Sequence, residues 1–130
     1  MKNKSRRFEV LLPARFNDGR DVPDELIGVA IDEVIDHFQA ASYYKDAAEG
    51  FWQHGDTRYR DDLGLMYIDV PDTAANRKWM KAFKARWKAR LEQLEIWMVS
   101  YRIDLSEAHP LYGYAENVRE AKGIFLAGVP

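Results

Sequence analysis

The chain has 130 residues, of which 47% are apolar and 31% charged, so it suits one packed domain and not a disordered, collagenous or low-complexity polymer. It has no cysteine, which excludes disulfides, thiolate nucleophiles and cysteine-ligated zinc and fits a reducing compartment such as the cytoplasm. No run approaches eighteen apolar residues, and the basic start Met1 to Arg7 leads only into Phe8 to Pro13, so neither a membrane span nor a signal peptide is expected.

The net charge of −2 conceals a segregation. Residues 1–15 carry +4, 17–72 carry −10, 73–91 carry +7 with no acidic group, and 92–130 carry −3. Lys81, Lys84 and Lys88 share one face of the basic stretch, where a nucleic acid would bind if it bound anywhere. The acidic total and the acidic first half disfavour that reading. A solvated face answered by carboxylates elsewhere in the chain is the simpler expectation.

Phe8 to Leu12 is a bulky apolar run stopped by Pro13, the pattern of a strand buried on most of its surface. Asn17-Asp18-Gly19 is a loop, and Pro23 suits the first turn of a helix with Asp24 and Glu25 at its positive end. Ile27, Ile31, Val34, Ile35 and Phe38 then draw one apolar stripe. From Ser42 to Gln53, aromatics flank the weak middle Ala47 to Gly50, which predicts a bulged strand turning at His54-Gly55-Asp56. Thr57 to Val70 is a long strand with Leu63, Leu65 and Tyr67 on one face and Met66, Ile68 and Val70 on the other. A second helix follows Pro71, capped by Asp72 or Thr73, with Met80, Phe83, Trp87, Leu91 and Leu94 in its stripe, ending near Gln93. Glu95 to Leu105 alternates as a last strand, with Trp97, Val99, Tyr101 and Ile103 in one row.

The order β-α-β-β-α-β is that of the α+β ferredoxin-like split unit, a four-stranded antiparallel sheet with two helices on one face, here over residues 1–106. Residues 107–130 form a C-terminal extension too apolar for a disordered tail, expected to pack on its own sheet or on a partner. The turn residues Leu11-Leu12-Pro13, Asn17-Asp18-Gly19, Val22-Pro23 and Asp69-Val70-Pro71-Asp72-Thr73, with Asn76, carry a resemblance over about residues 8–104 to a group of small bacterial proteins with a ferredoxin-like core. That group has no established activity. The resemblance implies the fold and a bacterial source, and it assigns no site residue.

The chemistry-bearing residues do not converge on a reaction. His37, His54 and His109 show no metal-ligand spacing, no serine lies in a Gly-x-Ser-x-Gly elbow, and no glycine pattern suits a phosphate loop, so no catalytic residue, metal or cofactor is assigned. His37 is expected to be partly buried and bonded to a backbone group, and Asp69 and Asp72 to serve as turn and cap groups. Aromatic residues on a ferredoxin-like sheet invite comparison with the RNA-recognition module, but Gly64-Leu65-Met66-Tyr67 stands where its basic octamer would be.

With Met66 and Ile68 beneath the helices, Leu11, Leu63, Leu65 and Tyr67 are left on an open apolar face with Trp97 and Tyr101 beside them, and Tyr112 and Phe125 available in the extension. The leading expectation is therefore a non-catalytic interaction module that self-associates or takes a protein partner through this face and the tail. A second is a small-molecule binder or enzyme resembling the dimeric α+β barrel group, with a pocket drawn from Tyr43, Trp52 and His54. Nucleic-acid binding through the basic helix is the third.

Overall fold

The structure is a computed structural model that describes residues 4–106. Its elements run β1 (Ser5–Pro13), α1 (Asp24–Phe38), β2 (Ser42–His54), β3 (Thr57–Pro71), α2 (Ala74–Arg90) and β4 (Met98–Ile103). The strands form one sheet in the order β2-β3-β1-β4, with every neighbouring pair antiparallel. The protein has the ferredoxin-like fold that the element order predicts.

The two central strands supply the core from alternate positions, as the period of two demands. Phe8, Val10 and Leu12 of β1 and Met66, Ile68 and Val70 of β3 are buried against Ile27, Ala30 and Val34 of α1 and Met80, Phe83 and Trp87 of α2. Each large side chain removed from water in this way contributes about 1.5–3 kcal/mol. The register pairs Val10 with Met66 and Phe8 with Ile68, so both strands turn the same parity towards the helices.

The helix boundaries have local causes. Pro23 precedes α1 with φ −60°, and Asp24 and Glu25 occupy the first turn. Gln39 ends α1 in the left-handed conformation, its backbone N–H donating to the carbonyl of Ile35 at 2.7 Å. In α2 the cap is Thr73, whose hydroxyl accepts from the Asn76 N–H at 3.1 Å. This helix stops at Arg90, three residues earlier than its apolar stripe suggests, because Glu92 turns left-handed at φ 54°. Leu91 stays fully buried while Leu94 is turned outward and exposed. The stripe on α1 is also displaced: Ala30 sits in its centre, and Ile31 and Phe38 are only partly buried.

Two strands differ in length from the sequence reading. β1 begins at Ser5 because its basic first residues pair on both sides, Arg6 opposite Val70 of β3 and Arg102 of β4. β4 is held to six residues. The irregularity in β2 lies between Tyr44 and Ala48, with Asp46 left-handed at φ 56°, a conformation that Asp tolerates better than most residues.

Candidate interaction site

Side chains that are cross-strand partners share a face, so the register fixes what lies on the side of the sheet away from the helices. β3 places Leu63, Leu65, Tyr67 and Asp69 there, β1 places Arg7, Glu9 and Leu11, and β4 places Val99, Tyr101 and Ile103. Trp97 extends the last row: its carbonyl accepts from the Leu11 N–H at 3.0 Å, and its side chain is 63% exposed. On β2, Tyr44 lies opposite Leu65 and is 58% exposed, with its ring 6.1 Å from that of Tyr67. Leu11, Leu63, Leu65, Tyr67, Trp97 and Tyr101 therefore stand on one surface, reached from three strands and the segment before β4.

The charged groups on this surface are all hydrogen-bonded within it. Arg7 donates from Nε and Nη2 to the two oxygens of Asp69 at 2.7 and 2.9 Å, and its guanidinium lies 4.5 Å from the centre of the Tyr67 ring. The hydrogen bond to Asp69 holds the Arg7 pKa above its ordinary value. Tyr101 donates its hydroxyl to Glu9, and that bond, with burial, raises the phenol pKa. The result is an apolar and aromatic surface whose ionised side chains are already engaged.

The same surface continues past the helices. β3 pairs with β1 only from Leu63 onward, so residues 57–62 pair with β2 alone and make a two-stranded ribbon. None of residues 44–63 is buried. The ribbon is stiffened by the stacked rings of Trp52 and Tyr59, 4.2 Å apart, and by the Trp52 indole N–H donating to Asp61 at 2.7 Å.

The residues expected to line a pocket are not brought together. Tyr43 lies opposite Met66 on the helix side, over Gly64, where a Cβ would overlap its hydroxyl. Trp52 and His54 lie opposite Tyr59 and Thr57 on the ribbon, on the other face. Tyr43 and Trp52 are an odd number of positions apart, so the period of two already separates them. Tyr43 borders a shallow open cleft with Asp21, Asp24, Lys45 and Asp46, and burial followed by the charges of Asp24 and Asp46 raises its pKa. Asp62 is engaged by Arg15 and Arg60. Among the described residues no group of three or more His, Asp or Glu side chains is placed to hold a metal ion. Tyr112 and Phe125 lie outside the described residues.

Much of the basic helix is answered within the chain. Arg86 and Arg90 approach Glu33 of α1 at 3.4 and 3.6 Å, and Lys84 approaches Glu95 at 3.2 Å. The Ile96 N–H first and Lys84 second hold the Glu95 pKa below its ordinary value. Lys81 is exposed, while Lys88 is half-buried and its charge adds to the pull on Glu95. His37, expected to be partly buried, is exposed and lies flat against the Trp79 ring, with centroids 4.4 Å apart.

The acidic pair before α2 does something that the sequence reading missed. Asp69 is a strand residue holding Arg7, and Asp72 does not cap the helix. Its carboxylate, 2% exposed, accepts from Arg6 Nε at 2.9 Å and Arg102 Nε at 3.1 Å, and it is also paired with Arg77. The hydrogen bond from Arg6 first, and that from Arg77 after it, hold its pKa down at about 2. Three elements, β1, α2 and β4, are thereby tied to one side chain.

Comparison with known proteins extends the fold and not the site. No protein-family model and no curated protein matches this chain. Among solved structures, the divalent ion tolerance protein CutA1 of Ehrlichia chaffeensis is similar at a TM-score of 0.55 and 7% identity, over 93% of this chain and 97% of that one. CutA1 of Oryza sativa is similar at 0.51 and 16%, over 94% of each chain. A phage SAM lyase in complex with S-methyl-5'-thioadenosine is similar at 0.58 and 8%, over 84% of this chain and 96% of that one. At such identities the likeness is one of backbone arrangement.

Proposed function

We propose that this protein is a non-catalytic assembly module whose open sheet face packs against a second copy of the chain. The carrying observation is the continuous surface of Leu11, Leu63, Leu65, Tyr67, Trp97 and Tyr101, which the protein's own helices leave uncovered. Apolar patches of this kind on folded domains mark contact sites. A second copy is the occupant that the charges favour. Arg7 is matched by Asp69 and the Glu9 carboxylate is engaged by the neutral Tyr101 hydroxyl, so the face carries only one net negative charge among apolar and aromatic side chains, and such a nearly uncharged face is complementary to itself across a two-fold axis. The ribbon supports the same reading, since two strands with no core beneath them are marginal in water and gain from a neighbour's surface. Residues 107–130, with Tyr112 and Phe125, are expected to add to the contact. No helix among the described residues is long and apolar enough to cross a membrane.

Light scattering behind size exclusion tests the proposal. The chain should elute at micromolar concentration with the mass of a multiple of itself. Leu65→Asp should weaken association at least about 100-fold and yield a folded monomer, because an unpaired charge buried in a contact costs several kcal/mol. A wild-type chain that is monomeric at that concentration would refute the assignment.

A further inference from the structure

Arg6, Arg77 and Arg102 converge from three elements on the one carboxylate of Asp72. A single bidentate guanidinium suffices to neutralise a carboxylate, so the corner carries a surplus of two positive charges. The three arginines are not equally committed. Arg6 is 19% exposed and fully engaged, with Nε and Nη2 on Asp72 and Nη1 on the Ser100 hydroxyl at 3.0 Å. Arg77 gives Asp72 only Nη1, and Arg102 gives only Nε. Their side chains are 47% and 62% exposed, and their remaining N–H donors have no partner among the described residues. Asp72 thus holds two well-exposed guanidinium groups at one corner, Arg77 on Oδ1 and Arg102 on Oδ2, each with N–H donors to spare. The first turn of α2, beside them, contains no acidic residue.

We infer that this corner binds a phosphate dianion, free or carried on a small phosphomonoester. Two units of negative charge match the surplus, and tetrahedral oxygens accept from the paired N–H edges that Arg77 and Arg102 present. Arg6, Ser100 and Arg102 share the parity of Phe8 and Met98, so the site is on the helix side of the sheet and is independent of the face proposed for assembly.

Titration of the 15N-labelled full chain with inorganic phosphate, at ionic strength matched with sodium chloride, tests the inference. Expected are saturable shifts of the Arg77 and Arg102 Nε–H signals and of the Ala74 to Asn76 amides, with half-saturation at millimolar phosphate or below. A parallel titration with glycerol phosphate distinguishes the sources: similar or tighter binding identifies a phosphomonoester site, and loss of binding identifies a site for the free ion. The double variant Arg77→Ala, Arg102→Ala should bind at least tenfold more weakly. Arg102→Lys, at an exposed position that keeps its charge, should weaken binding severalfold by losing the planar fork, and it serves if the double variant does not fold. Shifts no larger than chloride produces, or an affinity that these variants leave unchanged, would overturn the site. Neither result bears on the oligomer mass, so this inference and the assembly proposal fail separately.

Discussion

Trp87→Ala is expected to lower the free energy of unfolding by about 3–5 kcal/mol, the range for a large aromatic side chain removed from a closed core. Trp87 is fully buried on α2, with Phe83 6.2 Å away between ring centres. Its indole N–H donates to Glu33 on α1 at 2.7 Å, and the Arg90 guanidinium lies 4.2 Å from its ring centre. One residue therefore fills the space beneath the sheet and ties the two helices together. Truncation leaves a cavity and deprives Glu33 of its shortest hydrogen bond. Trp87→Phe keeps much of the volume and loses only the donor, so it should cost about 1–3 kcal/mol. Urea unfolding at an unchanged slope measures both. A loss under about 1 kcal/mol for the alanine variant would mean that α2 does not seal this core.

The second large effect concerns acid. The Asp72 carboxyl titrates near pH 2 against an ordinary 3.8, chiefly because Arg6 donates to it, with Arg77 adding to the effect. A carboxyl held down in the folded state contributes its full stability above the ordinary value and loses it as the pH falls through the depressed one. The thermal midpoint of the wild type should accordingly drop between pH 4 and pH 2. Asp72→Asn should melt several degrees lower at pH 7, because Arg6, mostly covered, is left without its counter-charge. The same variant should lose much less than the wild type between pH 4 and pH 2, since the group that titrates there is gone. Glu95 and Asp18, also held below their ordinary values, contribute equally to both proteins and set the residual slope. Identical acid slopes would show that Asp72 is not the group responsible.

The fold was readable from local pattern because its elements announce themselves within a few residues. The alternation of Leu65 and Tyr67 with Met66 and Ile68 assigns the two faces of β3 without reference to any other strand, and the three-and-four spacing of Met80, Phe83 and Trp87 does the same for α2. What stayed illegible depends on pairing at a distance. Arg6 and Arg102 stand opposite each other only once β1 and β4 are in register, and Asp72 joins them only because its N–H donates to the Lys4 carbonyl at 2.8 Å and draws the strand end into place. No periodicity within a segment reports that meeting. The end of α2 failed for another reason. Leu94 continues the spacing of the stripe, but the left-handed turn at Glu92 rotates it out of line, and a glutamate gives no warning of such a turn. Tyr43 is separated from Trp52 and His54 for a different reason, since residue type groups them but strand parity sets Tyr43 on the opposite face.

The four tryptophans divide by surroundings in a way that gives two separate optical channels. Trp87 is sealed in the core and Trp79 is sandwiched between His37 and Phe83, while Trp52 lies on the ribbon and Trp97 projects from the sheet. Iodide in dilute solution should quench the emission of the latter two and spare Trp87. As concentration rises that quenching should fade without any change in near-ultraviolet dichroism from the core. Fluorescence of the native chain, with no added dye, would then follow the meeting of two copies apart from the folding of each.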